Sequence, residues 1–245
     1  MPRLRQDSVS LRQLLPNMVT ILGLCAGLTA IRFTLLGRVD IAAALIVLAA
    51  ILDGLDGLLA RRLDAASPFG AEIDSLSDFV SFGVAPGLVM YQFALPDTRG
   101  LGWVFVLVYV VCACMRLARF NVHRDTPLPA ASRPHFTGVP APGAALLALL
   151  PVFLFQLGVP AMHDLPLLGG FYLGLIGLLM VSRIATPSSK ALSVPQDKAR
   201  WVLIGAAVVA GLAITRFWLL MSLAGLCYAL VIGWAVWKHF RGHRP

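Results

Sequence analysis

The stretch DGLDGLLARRLDAASPFGAEIDSLSD, residues 53–78, contains four aspartates in a chain that is otherwise strongly apolar. Asp53 and Asp56 are three residues apart, and Asp74 and Asp78 are four apart. On α-helices, both spacings bring the two side chains of a pair onto one face. The stretch therefore predicts two consecutive helices, each with an acidic face.

The composition around this stretch is typical of a polytopic membrane protein. Of the 245 residues, 58% are hydrophobic and 13% are charged, and the mean hydropathy is +0.82. These values exclude an ordinary soluble domain of this length. We predict an all-α membrane bundle of about eight transmembrane helices, forming a single domain over residues 1–245. The predicted spans are 17–36, 40–60, 71–94, 101–120, 140–158, 166–182, 201–215 and 217–237.

The net charge of +8 is distributed as expected for a membrane surface, so we expect no nucleic-acid partner. One set of loops contains most of the arginines and lysines, whereas the opposite set contains Arg38, Arg99 and Arg216. The positive-inside rule then predicts that both termini, and the end of the spans that bears the aspartates, face the cytoplasm.

The segment before the first span is polar and arginine-bearing, and it does not resemble a cleavable signal peptide. Leu4, Leu11, Leu14 and Leu15 fall near one helical stripe. This pattern predicts a short N-terminal interfacial helix lying on anionic lipid. A disordered basic tail is the alternative.

The four aspartates predict a metal site. Carboxylates that meet in a poorly hydrated pocket repel one another unless cations neutralise them. Oxygen ligands suit Mg²⁺ or Mn²⁺, which commonly bind substrate phosphates as well. The structural alternative is that a carboxylate simply pairs with an arginine and that the small residues beside it serve close helix packing. Each intramembrane aspartate costs about 2.5–3.5 kcal/mol at a helix centre, which disfavours this alternative for all four. The small residues Gly57, Ala60 and Gly70 leave room beside the aspartates for a ligand.

The same stretch resembles a known family. Residues 53–78 fit, at every fixed position, the pattern D-x2-D-G-x2-A-R-x8-G-x3-D-x3-D of the CDP-alcohol phosphotransferases. Members of that family transfer a phosphatidyl or similar group from a CDP-linked donor to an alcohol and release CMP. The resemblance implies a helical membrane bundle, commonly a homodimer, with two divalent ions (Mg²⁺ or Mn²⁺) bound between the second and third spans.

The resemblance also implies roles for individual residues. It assigns metal binding to Asp53, Asp56 and Asp74, and both metal binding and general-base catalysis to Asp78. The residues that it assigns to the CDP part of the donor are Asn17, Thr20, Gly57, Ala60, Arg61 and Gly70. For Asn17 and Thr20, an ordinary helix cap at the start of the first span is the alternative.

Further stretches resemble the membrane-integral phosphatidylserine synthase branch of that family. They are SFGVAP at 81–86, CMRLARFNV at 114–122, HFTGVPAPGAA at 135–145 and MVSRIATPSSK at 180–190. The resemblance implies CDP-diacylglycerol and L-serine as substrates and a location in a bacterial inner membrane. Residues 201–237 match little of that branch, so the role of the last two predicted spans stays open.

The residues themselves agree with serine as the acceptor. A guanidinium is a natural bidentate receptor for the serine carboxylate, and Arg116 and Arg119 lie near one helix end. Asn121 can add a neutral hydrogen bond, and Ser81 continues the face of Asp78. We therefore predict a serine site at these residues. Membrane anchoring is the alternative for Arg119.

Two other kinds of function are alternatives at this point. Within the family, the acceptor can be glycerol phosphate, inositol phosphate or choline, although a phosphorylated acceptor calls for a larger basic pocket than these arginines suggest. From a different class, a divalent-cation transporter would also use intramembrane carboxylates. Its carboxylates would follow a pathway across the membrane, and Arg61 would repel the permeating cation.

Overall fold

The computed structural model describes residues 11–96, 98, 100–124, 138–159, 164–182 and 199–241. Helices are the only regular elements among these residues, which confirms the all-α prediction. In chain order they are α1 (Leu11–Leu35), α2 (Val39–Arg62), α3 (Pro68–Asp78), a π-helical segment (Phe79–Val84), α4 (Ala85–Ala94), α5 (Leu101–Arg124), α6 (Ala141–Ala148), α7 (Leu150–Phe155), α8 (Pro166–Val181), α9 (Ala199–Thr215) and α10 (Phe217–Arg241).

The lengths of the apolar helices identify an integral membrane protein. Within the described residues, five segments are long and apolar enough to cross a bilayer: Leu14–Leu35, Val39–Arg62, Pro68–Ala94, Leu101–Val122 and Phe217–Lys238. The α6–α7 pair and α8 are apolar but shorter, and α9 has 17 residues. At a rise of 1.5 Å per residue, these are shorter than a hydrocarbon core of about 30 Å. The predicted count of about eight spans is therefore not confirmed and stays a prediction.

The N-terminal interfacial helix is likewise not confirmed. Helix α1 begins at Leu11 and continues without interruption through the first span. Leu11, Leu14 and Leu15 thus belong to the same helix as the span, and Leu4 lies outside the described residues.

The connection between α2 and α3 turns the chain back so that the two acidic faces meet. Asp64 has a positive φ of 48° just after α2 ends, a conformation that aspartate tolerates better than most residues. Ser67 then caps α3, because its hydroxyl accepts a hydrogen bond from the Gly70 N–H at 3.0 Å. Pro68 begins the helix, where its missing N–H costs nothing. Helix α3 packs against α1, which also packs along α2.

Helix α1 approaches the third span very closely at Gly27. A Cβ atom at this position would lie 3.0 Å from the Cα atom of Ser81 and nearer still to its hydroxyl oxygen. The Ser81 hydroxyl donates a hydrogen bond to the Gly23 carbonyl at 3.4 Å. Small residues allow this kind of close backbone approach between membrane helices.

The π-helical segment immediately after Asp78 was not predicted from the sequence. Its Phe82 carbonyl accepts a hydrogen bond from the buried Tyr109 hydroxyl of α5 at 2.9 Å. Such segments are rare and occur frequently at functional sites. Here the bond ties the third span to α5 directly beside the acidic residues.

The predicted span 140–158 is broken into α6 and α7. Pro151 has no N–H to donate to the Leu147 carbonyl, so the α-helical pattern cannot continue through it. The Tyr172 hydroxyl of α8 donates to that carbonyl instead, at 2.5 Å. The break is thus tolerated in an apolar interior because the released acceptor is paired.

The packing at Gly27 generates a stability prediction. Gly27→Ala should destabilise the protein, because the added methyl group meets the backbone of Ser81 and not only the flexible end of a side chain. Overpacking typically costs about 1–3 kcal/mol, which corresponds to a decrease in Tm of roughly 2–12 °C for a chain of this size. Thermal unfolding of the detergent-purified protein measures the effect.

Gly233→Ala in α10 is the matched control, because a Cβ atom there has nothing within 4 Å. Its Tm should be unchanged or slightly higher, since alanine favours helix over glycine. Equal Tm values for the two variants would contradict the close approach of α1 to Ser81.

Candidate active site

The structure brings the four aspartates of the sequence pattern into one small cleft between α1, α2 and the third span. Asp53, Asp56 and Asp74 each present a carboxylate oxygen, and these three oxygens lie within 4.8 Å of one another. Asp56 is only 5% exposed, and the other three aspartates are half-buried. A concentration of negative charge in so little solvent needs positive charge nearby.

Of the four aspartates, Asp53 and Asp78 lie farthest from the turn between α2 and α3. Their carboxyl groups lie close enough to influence each other directly. The half-buried guanidinium of Arg116, from α5, interacts electrostatically with both of them. A cation of the protein therefore faces the deep end of the acidic cleft.

Helix α1 supplies hydrogen bonds to the other end of the cleft. The Thr20 hydroxyl lies 2.5 Å from Asp56 Oδ2, to which it donates, and the Ser77 hydroxyl donates to the Thr20 carbonyl at 3.4 Å. Asn17 lies against Gly70, where an added Cβ atom would be 2.6 Å from the Asn17 Oδ1 atom. The helix-cap alternative for Asn17 and Thr20 is wrong, because α1 begins at Leu11.

The remaining residues predicted to bind the CDP part lie one turn closer to the end of α2. Gly57 and Ala60 are half-buried, and Arg61 is exposed. The nearest atom to an added Cβ at Gly57 is Arg61 Nη1, at 3.9 Å. These residues border the acidic cleft but are not part of its lining.

The two candidate serine-binding arginines point to different places. Arg116 faces Asp53 and Asp78, whereas Arg119 Nη1 donates a hydrogen bond to the Val181 carbonyl at 3.0 Å. A cation at the last carbonyls of α8 is favourable for that helix end. The sequence distinguished the two arginines by depth and gave anchoring as the alternative for Arg119, but it could not identify the Val181 carbonyl as the partner of Arg119.

The other two serine-binding candidates already have partners within the protein. Asn121 Oδ1 accepts a hydrogen bond from the Ser75 hydroxyl at 3.0 Å, which links α5 to α3. Ser81 lines the acidic cleft, but it is buried and its hydroxyl donates to Gly23.

One residue near the site was missed by sequence analysis. Tyr228 of α10 interacts electrostatically with Arg116, although the two are far apart in the sequence. A lone tyrosine in an apolar helix gives no local signal that would reveal its proximity to Arg116.

The aspartates fit a divalent metal ion. Three carboxylate oxygens lie close enough to share one ion, and Asp78 lies beside them. Among the described residues, those that line the cleft include no cysteine, methionine or histidine, so the lining is chemically suited to a hard cation.

Comparison with known proteins identifies the family. A family model described as CDP-alcohol phosphatidyltransferase matches residues 13–186, which include the whole acidic cleft. The chain belongs to the CDP-alcohol phosphatidyltransferase family. The resemblance seen in residues 53–78 is thereby confirmed, and the protein is a transferase.

Three relatives of this family member have the same name, CDP-diacylglycerol–serine O-phosphatidyltransferase. The protein from Mycobacterium tuberculosis is 43% identical over 226 residues, covering 91% of this chain and 78% of the relative. The Helicobacter pylori protein is 36% identical over 177 residues, covering 72% of this chain and 73% of the relative. The Bacillus subtilis protein is 34% identical over 178 residues, covering 72% of this chain and 91% of the relative.

The geometry of the carboxylates predicts the effect of removing one ligand. Asp74→Asn should weaken Mn²⁺ binding by at least about tenfold, because even indirect disturbance of metal ligands has effects of that size. Calorimetry or electron paramagnetic resonance of the purified protein measures the affinity without any substrate. Asp40→Asn is the control, since Asp40 pairs with Arg38 at 3.1 Å at the opposite end of α2. Equal affinities in the two variants would exclude Asp74 from the metal site.

Proposed function

We propose that this enzyme transfers the phosphatidyl group of CDP-diacylglycerol to L-serine, producing phosphatidylserine and CMP. The observation that carries the proposal is the meeting of four aspartates in one cleft, with Arg116 facing two of them. It occurs in a chain whose relatives over most of its length are named for this reaction.

Asp53, Asp56, Asp74 and Asp78 would together hold two divalent ions, Mg²⁺ or Mn²⁺. When bound, such ions neutralise the two phosphates of the donor and stabilise the charge that develops on them. The residues proposed to surround the CDP part are Asn17, Thr20, Gly57, Ala60, Arg61 and Gly70. The lack of a side chain at Gly70 supports this proposal, because it lets Asn17 of α1 lie directly against α3.

Asp78 is proposed as the general base. The serine hydroxyl is a weak nucleophile at neutral pH, so its proton must leave as its oxygen attacks. In this step the serine oxygen bonds to the phosphorus that bears diacylglycerol, and the bond from that phosphorus to the oxygen of CMP breaks. CMP leaves with the electron pair, and the carboxylate of Asp78 receives the proton. The position of Asp78 opposite Arg116 supports the assignment.

Arg116 is proposed to bind the carboxylate of serine. Its guanidinium faces the end of the cleft where Asp78 would accept the proton. The serine site would be held in shape by Arg119, Asn121 and Ser81. Each of them already makes a hydrogen bond within the protein.

The proposed setting is a bacterial inner membrane crossed about eight times, with both termini and the active site in the cytoplasm. Arg61 and Arg62 at the aspartate end of α2, opposed by Arg38 at the other end, support this orientation. The cytoplasm supplies soluble serine and takes up CMP, while the lipids stay in the membrane. A homodimer is proposed on the family resemblance alone.

A panel of acceptors tests the proposed function directly. Purified protein is incubated with CDP-diacylglycerol and Mn²⁺, and with serine, glycerol phosphate, inositol phosphate or choline, while CMP release is measured. We expect release with serine alone, and none when a chelator is added. Release only with another alcohol would change the acceptor, and no release with any of them would argue against transferase activity.

The role of Asp78 predicts a separation of binding from turnover. Asp78→Asn keeps the size and one oxygen ligand, so CDP-diacylglycerol binding should remain. Single-turnover CMP release should fall by roughly 10²–10⁴-fold, the usual contribution of acid–base catalysis. Parallel loss of donor binding would reduce Asp78 to a metal ligand, and a normal rate would exclude it from both roles.

The different surroundings of the two arginines predict different effects on serine. Arg116→Lys keeps the charge but loses the bidentate fork, so the KM for serine should rise by about tenfold or more, while the KM for the donor changes less. Arg119→Lys is the matched control and should have the smaller effect, because Arg119 contacts the end of α8. A larger effect at Arg119 would reverse the assignment.

A further inference from the structure

An apolar groove with a volume of about 450 Å³ lies between α2, α6 and α10. Its walls include Ile46 and Ala50 from α2, Leu146 from α6, and Ala224 and Tyr228 from α10. The volume is within the range of about 300–1,000 Å³ that is usual for ligand sites. The lining is apolar apart from the Tyr228 hydroxyl, so its chemistry suits a hydrocarbon ligand.

Residues of α2 that line the groove lie on the same side of that helix as Asp53 of the acidic cleft. Ala50 and Ile46 precede Asp53 by three and seven residues, which are spacings that keep side chains on the same side of an α-helix. The groove therefore begins about one turn from the first aspartate and extends away from the α2–α3 turn.

Tyr228 lies where the polar and apolar regions meet. Its hydroxyl oxygen is buried and has no hydrogen-bond partner among the described residues, although buried tyrosine hydroxyls usually have one. The ring rests on Gly143, where an added Cβ atom would be 2.6 Å from that oxygen. Tyr228 also interacts electrostatically with Arg116. The hydroxyl is therefore able to donate a hydrogen bond to a ligand at this junction.

Helix α10 packs closely against α7 and can therefore form one wall of a site. Its Gly225 admits the side chain of Leu150, since an added Cβ atom would be 2.9 Å from Leu150 Cδ1. The Trp218 and Phe153 rings pack with centroids 6.2 Å apart. The helix lies beyond residues 13–186, so the part of the chain that matches the family model does not include this wall.

We propose that α10 completes the binding site for the lipid donor. The groove holds one acyl chain of CDP-diacylglycerol, and the Tyr228 hydroxyl donates a hydrogen bond to an ester or phosphate oxygen at the head of that chain. This inference rests on the proposed function, because it takes the donor to be a diacyl lipid. Such a donor must keep its diphosphate at the aspartates and its chains in hydrocarbon, and the groove begins about one helical turn from Asp53.

Narrowing the groove tests the acyl-chain site. Ala224→Leu should raise the KM and the Kd for dipalmitoyl CDP-diacylglycerol by about tenfold, the effect of excluding roughly two methylene groups. Dihexanoyl donor should be affected less, and the KM for serine should not change. Gly233→Leu, on the same helix but with open space around it, is the control and should behave like the unmodified protein.

The Kd is measured without any acceptor, so it reports on the groove whichever alcohol the enzyme uses. Failure of the proposed function would appear instead as no CMP release from serine by the unmodified protein. An unchanged donor Kd in Ala224→Leu would overturn the acyl-chain site. If that variant changes only the oligomeric state found by cross-linking, the groove is an interface with a second copy, and the proposal is again overturned.

Tyr228→Phe tests the hydrogen bond without changing the shape of the groove. The Kd should rise by between about twofold and tenfold for both donors, because the hydroxyl meets the head of the lipid and not its tail. The KM for serine should be unchanged. A rise in the serine KM alone would overturn the proposal and assign Tyr228 to the positioning of Arg116.

Discussion

Mutual repulsion of four carboxylates in an apolar bundle is the constraint on which the rest of the structure depends. Helices α2 and α3 would not bring these groups together unless opposite charge and hydrogen-bond donors offset the repulsion. Thr20 donates to Asp56, and Arg116 faces Asp53 and Asp78. A divalent metal ion bound at these carboxylates would offset the remaining negative charge, and the proposed reaction on a diphosphate would use the same ion.

Close helix packing and hydrogen bonds from side chains to backbone carbonyls hold the site together. Helices in lipid gain little from hiding apolar surface from one another, so close packing and hydrogen bonds hold them together. Gly27 lets α1 approach Ser81, and the hydroxyls of Ser77 and Ser81 donate to carbonyls of α1. The π-helical segment follows α3, and the hydrogen bond from the Tyr109 hydroxyl to its Phe82 carbonyl links it to α5. Such a scaffold positions charged groups before substrates arrive, as electrostatic catalysis demands.

The acidic cleft and one wall of the apolar groove come from different parts of the chain. The acidic cleft and Arg116 lie within residues 13–186, which match the family model. Helix α10 lies beyond that region, yet it packs on the short helices α6 and α7 and contributes Tyr228 next to Arg116. Short broken helices leave space in an apolar bundle, and a later helix can enclose that space.

Features with a local cause could be predicted from the amino-acid order alone. Apolar run length indicated the membrane class, helical spacing put Asp53 with Asp56 and Asp74 with Asp78, and the fixed positions of residues 53–78 indicated the family. Each of these depends only on neighbours within a few turns.

Features that depend on contacts between distant segments required the folded chain. The sequence offered membrane anchoring as an alternative for Arg119, but only the packing of α8 against α5 gives Arg119 a carbonyl partner and leaves Arg116 facing the aspartates. The break at Pro151 is tolerated because Tyr172, on another helix, supplies the missing donor. Which residue becomes a hydrogen-bond partner depends on where whole helices lie. The spacing of residues within one helix does not determine it.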